Sequence, residues 1–310
     1  MGVYCGWRGR SSTLPVVSNL TFWGRKKTAE RIGGGELVEV FSHLDRFVAR
    51  ERAEDRVAAL SIVGHSFGGT AVFSALSNVL KTRLVEALEE KDRGPEAPVV
   101  RGLGDLVVLV NPAFEASAYA PLHDLVNEIG TFSPRQTPVL VVVSSETDFP
   151  NRVWFPLGRS IDVATQHSGP RSPRKLLTTS IGSYDPFTTH RLEAALPETG
   201  APVTHVEGCE CTLPMTDLSD DELARLAEFF RSGRFDGLRA AASQEACESG
   251  VTLGSAKLTC VPGISPLRPI CSVRATDAVI HGHAGFFTRP FLDFLRYVIL
   301  DSISRSMNGR

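Results

Sequence analysis

Residues 60–69 read Leu-Ser-Ile-Val-Gly-His-Ser-Phe-Gly-Gly, and few folds accommodate such a string. A short, largely apolar run from Leu60 to Val63 stops at a glycine. Ser66 stands two residues on, and Gly68 and Gly69 follow. Ala71, Val72, Ala75, Leu76 and Val79 then recur at helical spacing. The pattern is a buried strand that turns at once into a helix. Gly64-His65-Ser66-Phe67-Gly68 is G-x-S-x-G, the spacing that holds a serine at the apex of a sharp strand-to-helix turn. Small residues on both sides let the strand and helix approach closely. A serine hydroxyl is a weak nucleophile unless the fold aims it and a base takes its proton. The turn does the aiming. It also sets the N–H of Phe67 at the helix start, where it can donate to a developing oxyanion. The plainer reading is a glycine-rich turn with an incidental serine. The apolar strand before the turn and the helical pattern after it weigh against that reading.

The chain has 310 residues, of which 42% are hydrophobic and 22% charged, enough for a large core. Strand-like and helix-like segments alternate, which predicts an α/β fold with a mainly parallel sheet flanked by helices. Leu106 to Val110 and Val139 to Val143 are continuous apolar runs, as strands covered on both faces require. Val3 to Cys5 reads as a strand end running into Gly6-Trp7-Arg8-Gly9, and Glu36 to Arg50 reads as an amphipathic helix. Residues 150–269 are rich in proline, glycine and charge. They read as an irregular, lid-like insertion within a single domain spanning 1–310. One helix is expected there, from the Ser219/Glu222 capping box, and the basic loop Arg171 to Lys175 reads as solvated surface. Order returns with strand-like Ile270 to Val273 and Ala278 to Ile280, then His281-Gly282-His283-Ala284-Gly285, then a final helix from about Arg289.

A net charge of −2 gives no electrostatic reason to expect nucleic acid or an anionic membrane. No apolar run approaches transmembrane length, and the first ten residues lack the apolar stretch of a signal peptide. The six cysteines form no dense framework. Cys209 and Cys211 are one residue apart, with no second pair at zinc spacing. Free thiols in a cytoplasmic, soluble protein are expected, with a disulfide among the later four left open. No metal and no cofactor is implied, and the oligomeric state is not legible.

An aimed serine needs a histidine base and an acid to orient it, in the chain order serine, acid, histidine for this kind of turn. Such groups belong on loops at the C-terminal ends of strands. Asp148 closes the loop after Val139 to Val143 and is the preferred acid. Glu115, in the loop after the intervening strand, is the alternative. Asp162 and Asp185 have no strand to deliver them. Among His167, His190, His205, His281 and His283, only the last two lie between a late strand and the terminal helix. His283 is preferred, because Gly282 and Gly285 give its backbone freedom; His281 then packs or supports. His65 belongs to the turn and orients it. The second oxyanion donor is assigned to Trp7 or its neighbour.

With these residues in place, the chain resembles the α/β-hydrolase superfamily. GHSFGG at 64–69, Asp148 and HGHAG at 281–285 carry the likeness. GWRG, TFWGRKKTA at 21–29 and FPLGR at 155–159 narrow it to lipase- or esterase-like members. The resemblance implies a serine hydrolase cleaving a small-molecule or lipid-like carboxylic ester through Ser66, His283 and Asp148, with Phe67 and Trp7 at the oxyanion. Some members of that family place the acid where Glu115 stands. Amide, thioester or acyl-transfer chemistry, and a non-catalytic binding role on the same scaffold, remain open. The family usually carries strands ahead of the one that Val3 to Cys5 resembles, so a sheet lacking its first N-terminal strands is expected.

Overall fold

The structure, a computed structural model, describes residues 2–6, 15–54, 56, 58–148, 174–195 and 243–308. The apolar runs build a seven-stranded mixed sheet. Its strands are β1 (Ser61–His65), β2 (Leu106–Val110), β3 (Leu140–Ser145), β4 (His190–Ala194), β5 (Val251–Leu253), β6 (Ala256–Cys260) and β7 (Ile270–Ala275). Their spatial order is β1-β2-β3-β7-β4-β6-β5. From β1 to β4 each neighbouring pair is parallel; β6 and β5 add antiparallel. The flanking helices are α1 (Pro15–Gly33), α2 (Glu36–Ala53), α3 (Phe67–Arg93), α4 (Ala116–Ile129), α5 (Arg174–Thr178), α6 (Gln244–Ser249) and α7 (Arg289–Asn308).

Alternation along the central strands explains the layers. Val107, Leu109, Leu140 and Val142 point to one face, against Phe41 of α2, Leu76 and Leu80 of α3, and Tyr119 and Val126 of α4. Leu106, Val108, Val110, Val141 and Val143 point to the other, against Phe291, Phe294 and Val298 of α7. Two apolar faces on one strand leave no room for polar residues, which is why β2 and β3 read as unbroken apolar runs. Each large side chain so buried contributes roughly 1.5–3 kcal/mol.

Several expectations are corrected. The stretch 150–269 is not wholly an excursion, since it supplies β4, β5 and β6. β4 and β6 carry polar residues between buried ones, His190 and Leu192 inward with Arg191 and Glu193 outward, so they lack the continuous apolar signature. Val3 to Cys5 is no strand: among the described residues no ladder reaches it, and Val3 and Tyr4 are exposed. The outer edge of β1 accordingly has no sheet neighbour among the described residues. Ala278 to Ile280 forms a turn, and Val279 and Ile280 are apolar because they plug the core beneath α7. The helix α1 was not foreseen in the sequence; it packs along α3. The helix expected after Ser219 lies outside the described residues, as does most of the loop Arg171 to Lys175. Free thiols are corrected for one pair: Cys247 on α6 and Cys260 at the end of β6 form a disulfide. With its ends 13 positions apart in sequence, such a link stabilises by about 3 kcal/mol.

His190, at the start of β4, is buried. That burial, aided by the nearby Arg268 guanidinium, pushes its pKa down to about 4 from the usual 6.5. Below pH 6.5 the unfolded chain takes up a proton that the folded one refuses, so stability falls with pH and levels off only below the folded pKa. The loss expected from this group is about 3 kcal/mol by pH 4. Urea unfolding of wild type and His190→Gln at pH 7 and pH 4.5 measures it; equal slopes for the two proteins would refute it.

Candidate active site

Ser66 joins β1 to α3 with φ 53° and ψ −120°, a conformation rare outside glycine. The neighbourhood forces it. A Cβ on Gly64 would come within 2.9 Å of the Gly69 Cα, and one on Gly69 within 2.8 Å of the Pro112 Cβ. Only glycine at both positions lets strand, helix and the following loop meet. Ser66 N–H donates to Val110 O at 3.0 Å, which ties the turn to β2. Phe67 is the first residue of α3, so its N–H lies at the N-terminal end of the helix, where the helix dipole favours negative charge.

Three strands bring three side chains together. His283 Nε2 lies 2.8 Å from Ser66 Oγ, and His283 Nδ1 lies 3.0 Å from Asp148 Oδ1. Asp148 follows β3 and is almost wholly buried, whereas the His283 ring is a quarter exposed. The hydrogen-bonded chain serine–imidazole–carboxylate is therefore complete. A carboxylate on Nδ1 fixes the tautomer that carries its proton there, which leaves Nε2 as acceptor for the serine proton.

The competing residues fall elsewhere. His281 is exposed and turns to Asp277, with Nδ1 3.0 Å from Oδ2. Glu115 directly precedes α4 and is buried against Lys26, Oε2 to Nζ 2.9 Å, and Lys26 also pairs with Glu30. His283 makes no hydrogen bond to Glu115. Asp185 pairs with Arg274 at 2.5 Å. His190 is buried in β4. Trp7, Asp162, His167 and His205 lie outside the described residues.

Two supporting residues carry more weight than the sequence suggested. Asn111, at the end of β2, is fully buried with φ 44°. Its Nδ2 donates to the carbonyls of Gly282 (3.2 Å) and His283 (2.8 Å), while its Oδ1 accepts from Ser145 N–H at 2.8 Å. One amide thus clamps the acid loop and the histidine loop together. In sequence, Asn111-Pro112 signals only the end of a strand. The tolerance of asparagine for positive φ is the one clue to its geometry. Ser145 Oγ adds a bond to Ile280 O at 2.6 Å, and Thr147 Oγ1 links Asp277 (2.6 Å) with Gly282 N–H (3.0 Å). The other supporting residue is His65, whose Nε2–H donates to His283 O at 2.9 Å. Its ring stands between His283 (5.0 Å) and Phe286 (4.8 Å). Burial lowers its pKa and so disfavours the charged ring.

Truncating Asn111 removes three hydrogen bonds, to the Gly282 and His283 carbonyls and from the Ser145 amide, and leaves His65 as the remaining side-chain donor to His283 O. Asn111→Ala is expected to cost about 1–3 kcal/mol of stability. It is also expected to slow attack by Ser66 by about 10²-fold, through a shift of His283 of the order of 1 Å. Denaturant unfolding and the second-order rate of Ser66 modification measure the two effects.

Comparison with family models, with curated proteins and with solved structures gives no match. The α/β architecture with a mostly parallel sheet stands on the strands themselves.

Proposed function

We propose that this protein is a serine hydrolase of the α/β-hydrolase fold that cleaves a carboxylic ester through an acyl-enzyme. The single observation that carries the reading is His283, with one ring nitrogen on Ser66 Oγ and the other on Asp148. In the reaction His283 Nε2 takes the Ser66 proton as Oγ attacks the ester carbonyl. The Phe67 N–H donates to the oxyanion, and Trp7 is the proposed second donor. Asp148 holds the imidazole and stabilises its cationic form. The Nε2 proton passes to the leaving alkoxide, the alcohol departs, and water activated by the same nitrogen releases the acid. Phe286 packs at a tilt against His65, and Phe287 beside it is exposed, so apolar surface borders the histidine. That surface favours an apolar acyl or lipid-like ester.

No described helix is long and apolar enough to cross a membrane. The cytoplasm remains the proposed compartment, and there the Cys247–Cys260 pair would stand reduced. A fluorophosphonate probe tests the reading: it labels the wild type on Ser66 and leaves Ser66→Ala unlabelled. Folded wild type that resists labelling would overturn the proposal. A series of esters of increasing acyl length then reports the pocket.

A further inference from the structure

His190, Cys247 and Cys260 come from three elements that only the fold brings together. His190 opens β4 and Cys260 closes β6, and the two are direct cross-strand partners in the antiparallel pair. The short helix α6 lays Cys247 against Cys260, Cα to Cα 5.1 Å. All three are buried, and one ring nitrogen and both sulfurs lie within 4.8 Å of one another. We propose that these three residues form a redox-gated site for a divalent metal ion of the zinc type, closed by the disulfide and opened when the two cysteines are reduced.

The donor set suits such an ion. Two thiolates and an imidazole are the ligands zinc prefers. Tetrahedral coordination with Zn–S of about 2.3 Å needs the sulfurs about 3.8 Å apart, within reach once their bond is broken. Two thiolates balance the two positive charges, so the buried complex carries no net charge of its own. One coordination position is left for water or another ligand.

The histidine is set up in advance. Its Nδ1 lies 2.8 Å from the Thr189 hydroxyl, and that hydroxyl also lies 3.0 Å from Ser272 O and accepts from Ser272 N–H at 2.9 Å. A hydroxyl has one hydrogen to give. When that hydrogen goes to Ser272 O, the hydroxyl can take one from Nδ1, the tautomer that leaves Nε2 with a bare lone pair. Metal-bound histidines are held by the same device, the second ring N–H donating to a fixed acceptor. No local spacing of the zinc type marks these residues, since 56 positions of chain separate His190 from Cys247, which is 247 minus 190 less one.

The chemistry balances with an external dithiol as reductant. The dithiol gives two electrons and two protons to the Cys247–Cys260 bond and leaves as a cyclic disulfide. The two thiols then release two protons as they bind the ion, whose charge does not change.

The full chain, reduced anaerobically with dithiothreitol and freed of it, is titrated with Co(II) and then Zn(II). The expected result is one cobalt per reduced chain, with the absorption of a tetrahedral thiolate site, displaced by zinc. The oxidised chain is expected to bind none. X-ray absorption of the zinc-loaded wild type is expected to give two sulfurs near about 2.3 Å and nitrogen near about 2.0–2.1 Å. Cys247→Ser abolishes the thiolate absorption. His190→Gln weakens cobalt binding at least about tenfold, the loss that even outer partners of a metal ligand cause. Circular dichroism checks each variant, and if one unfolds, the absorption data on wild type decide. Four results would overturn the proposal: cobalt uptake no greater in the reduced chain, a metal shell without two sulfurs, a folded His190→Gln with unchanged affinity, or cysteines that resist reduction short of denaturation.

Discussion

Ser66→Ala is expected to lower turnover of an activated ester by about 10⁶-fold, the scale at which removing the nucleophile disables a serine–histidine–carboxylate unit. Covalent labelling by a fluorophosphonate is expected to vanish with it. The fold is expected to survive, because Ser66 holds the turn through its main chain, by the bond to Val110 O and the bonds its own carbonyl accepts from Thr70 and Ala113. Alanine at the apex keeps the positive φ strained as serine does, without adding bulk. The measurement is kcat together with far-UV circular dichroism. A folded Ser66→Ala that keeps more than about a hundredth of wild-type activity would remove Ser66 as nucleophile, since the oxyanion site alone leaves far less than that.

The second large effect separates two carboxylates. Asp148→Asn keeps the shape but reverses the hydrogen-bonding sense at His283 Nδ1, which favours the wrong tautomer; kcat is expected to drop about 10⁴-fold with little change in stability. Glu115→Gln is expected to do the opposite. It removes one of the two carboxylates that pair with the buried Lys26, with Glu30 remaining, at a cost of about 1–3 kcal/mol, while the kcat of the folded protein changes little. The two variants, compared by kcat and by urea unfolding, are expected to show a crossed pattern. Loss of turnover in Glu115→Gln with full stability would transfer the acid role to Glu115.

The site was legible in sequence where backbone chemistry leaves a mark. Gly64, Gly68 and Gly69 announce the turn, and β2 and β3 announce themselves as apolar runs because both of their faces are covered. That order alone placed Asp148 two strands from Ser66 and set His283 after the last strand, where the structure has them. What escaped is set by distant contacts. β4 and β6 alternate polar and apolar residues, so a region that builds one side of the sheet looks irregular. Asn111 is a single residue whose three side-chain bonds reach 34, 171 and 172 positions along the chain, and no local pattern encodes them. The pairing of Lys26 with Glu115 depends on α1 lying along the core, which its amphipathicity does not reveal.

The place of β1 at the rim of the sheet has a consequence for distance. Ser66 and Asp148 hang from strands that are second neighbours, with β2 as the spacer between them. Two strand spacings amount to about 9.5 Å. An imidazole reaching 2.8 Å to one side and 3.0 Å to the other is a natural bridge for a gap of that order. The sheet therefore acts as the ruler for the proton path, and among the described residues one end of the ruler is fastened from a single side. A change that tilts β1 away from β2 would lengthen the gap while leaving all three side chains intact, so the calibration of this site rests on the ladder from Ser61–Leu106 to His65–Val110.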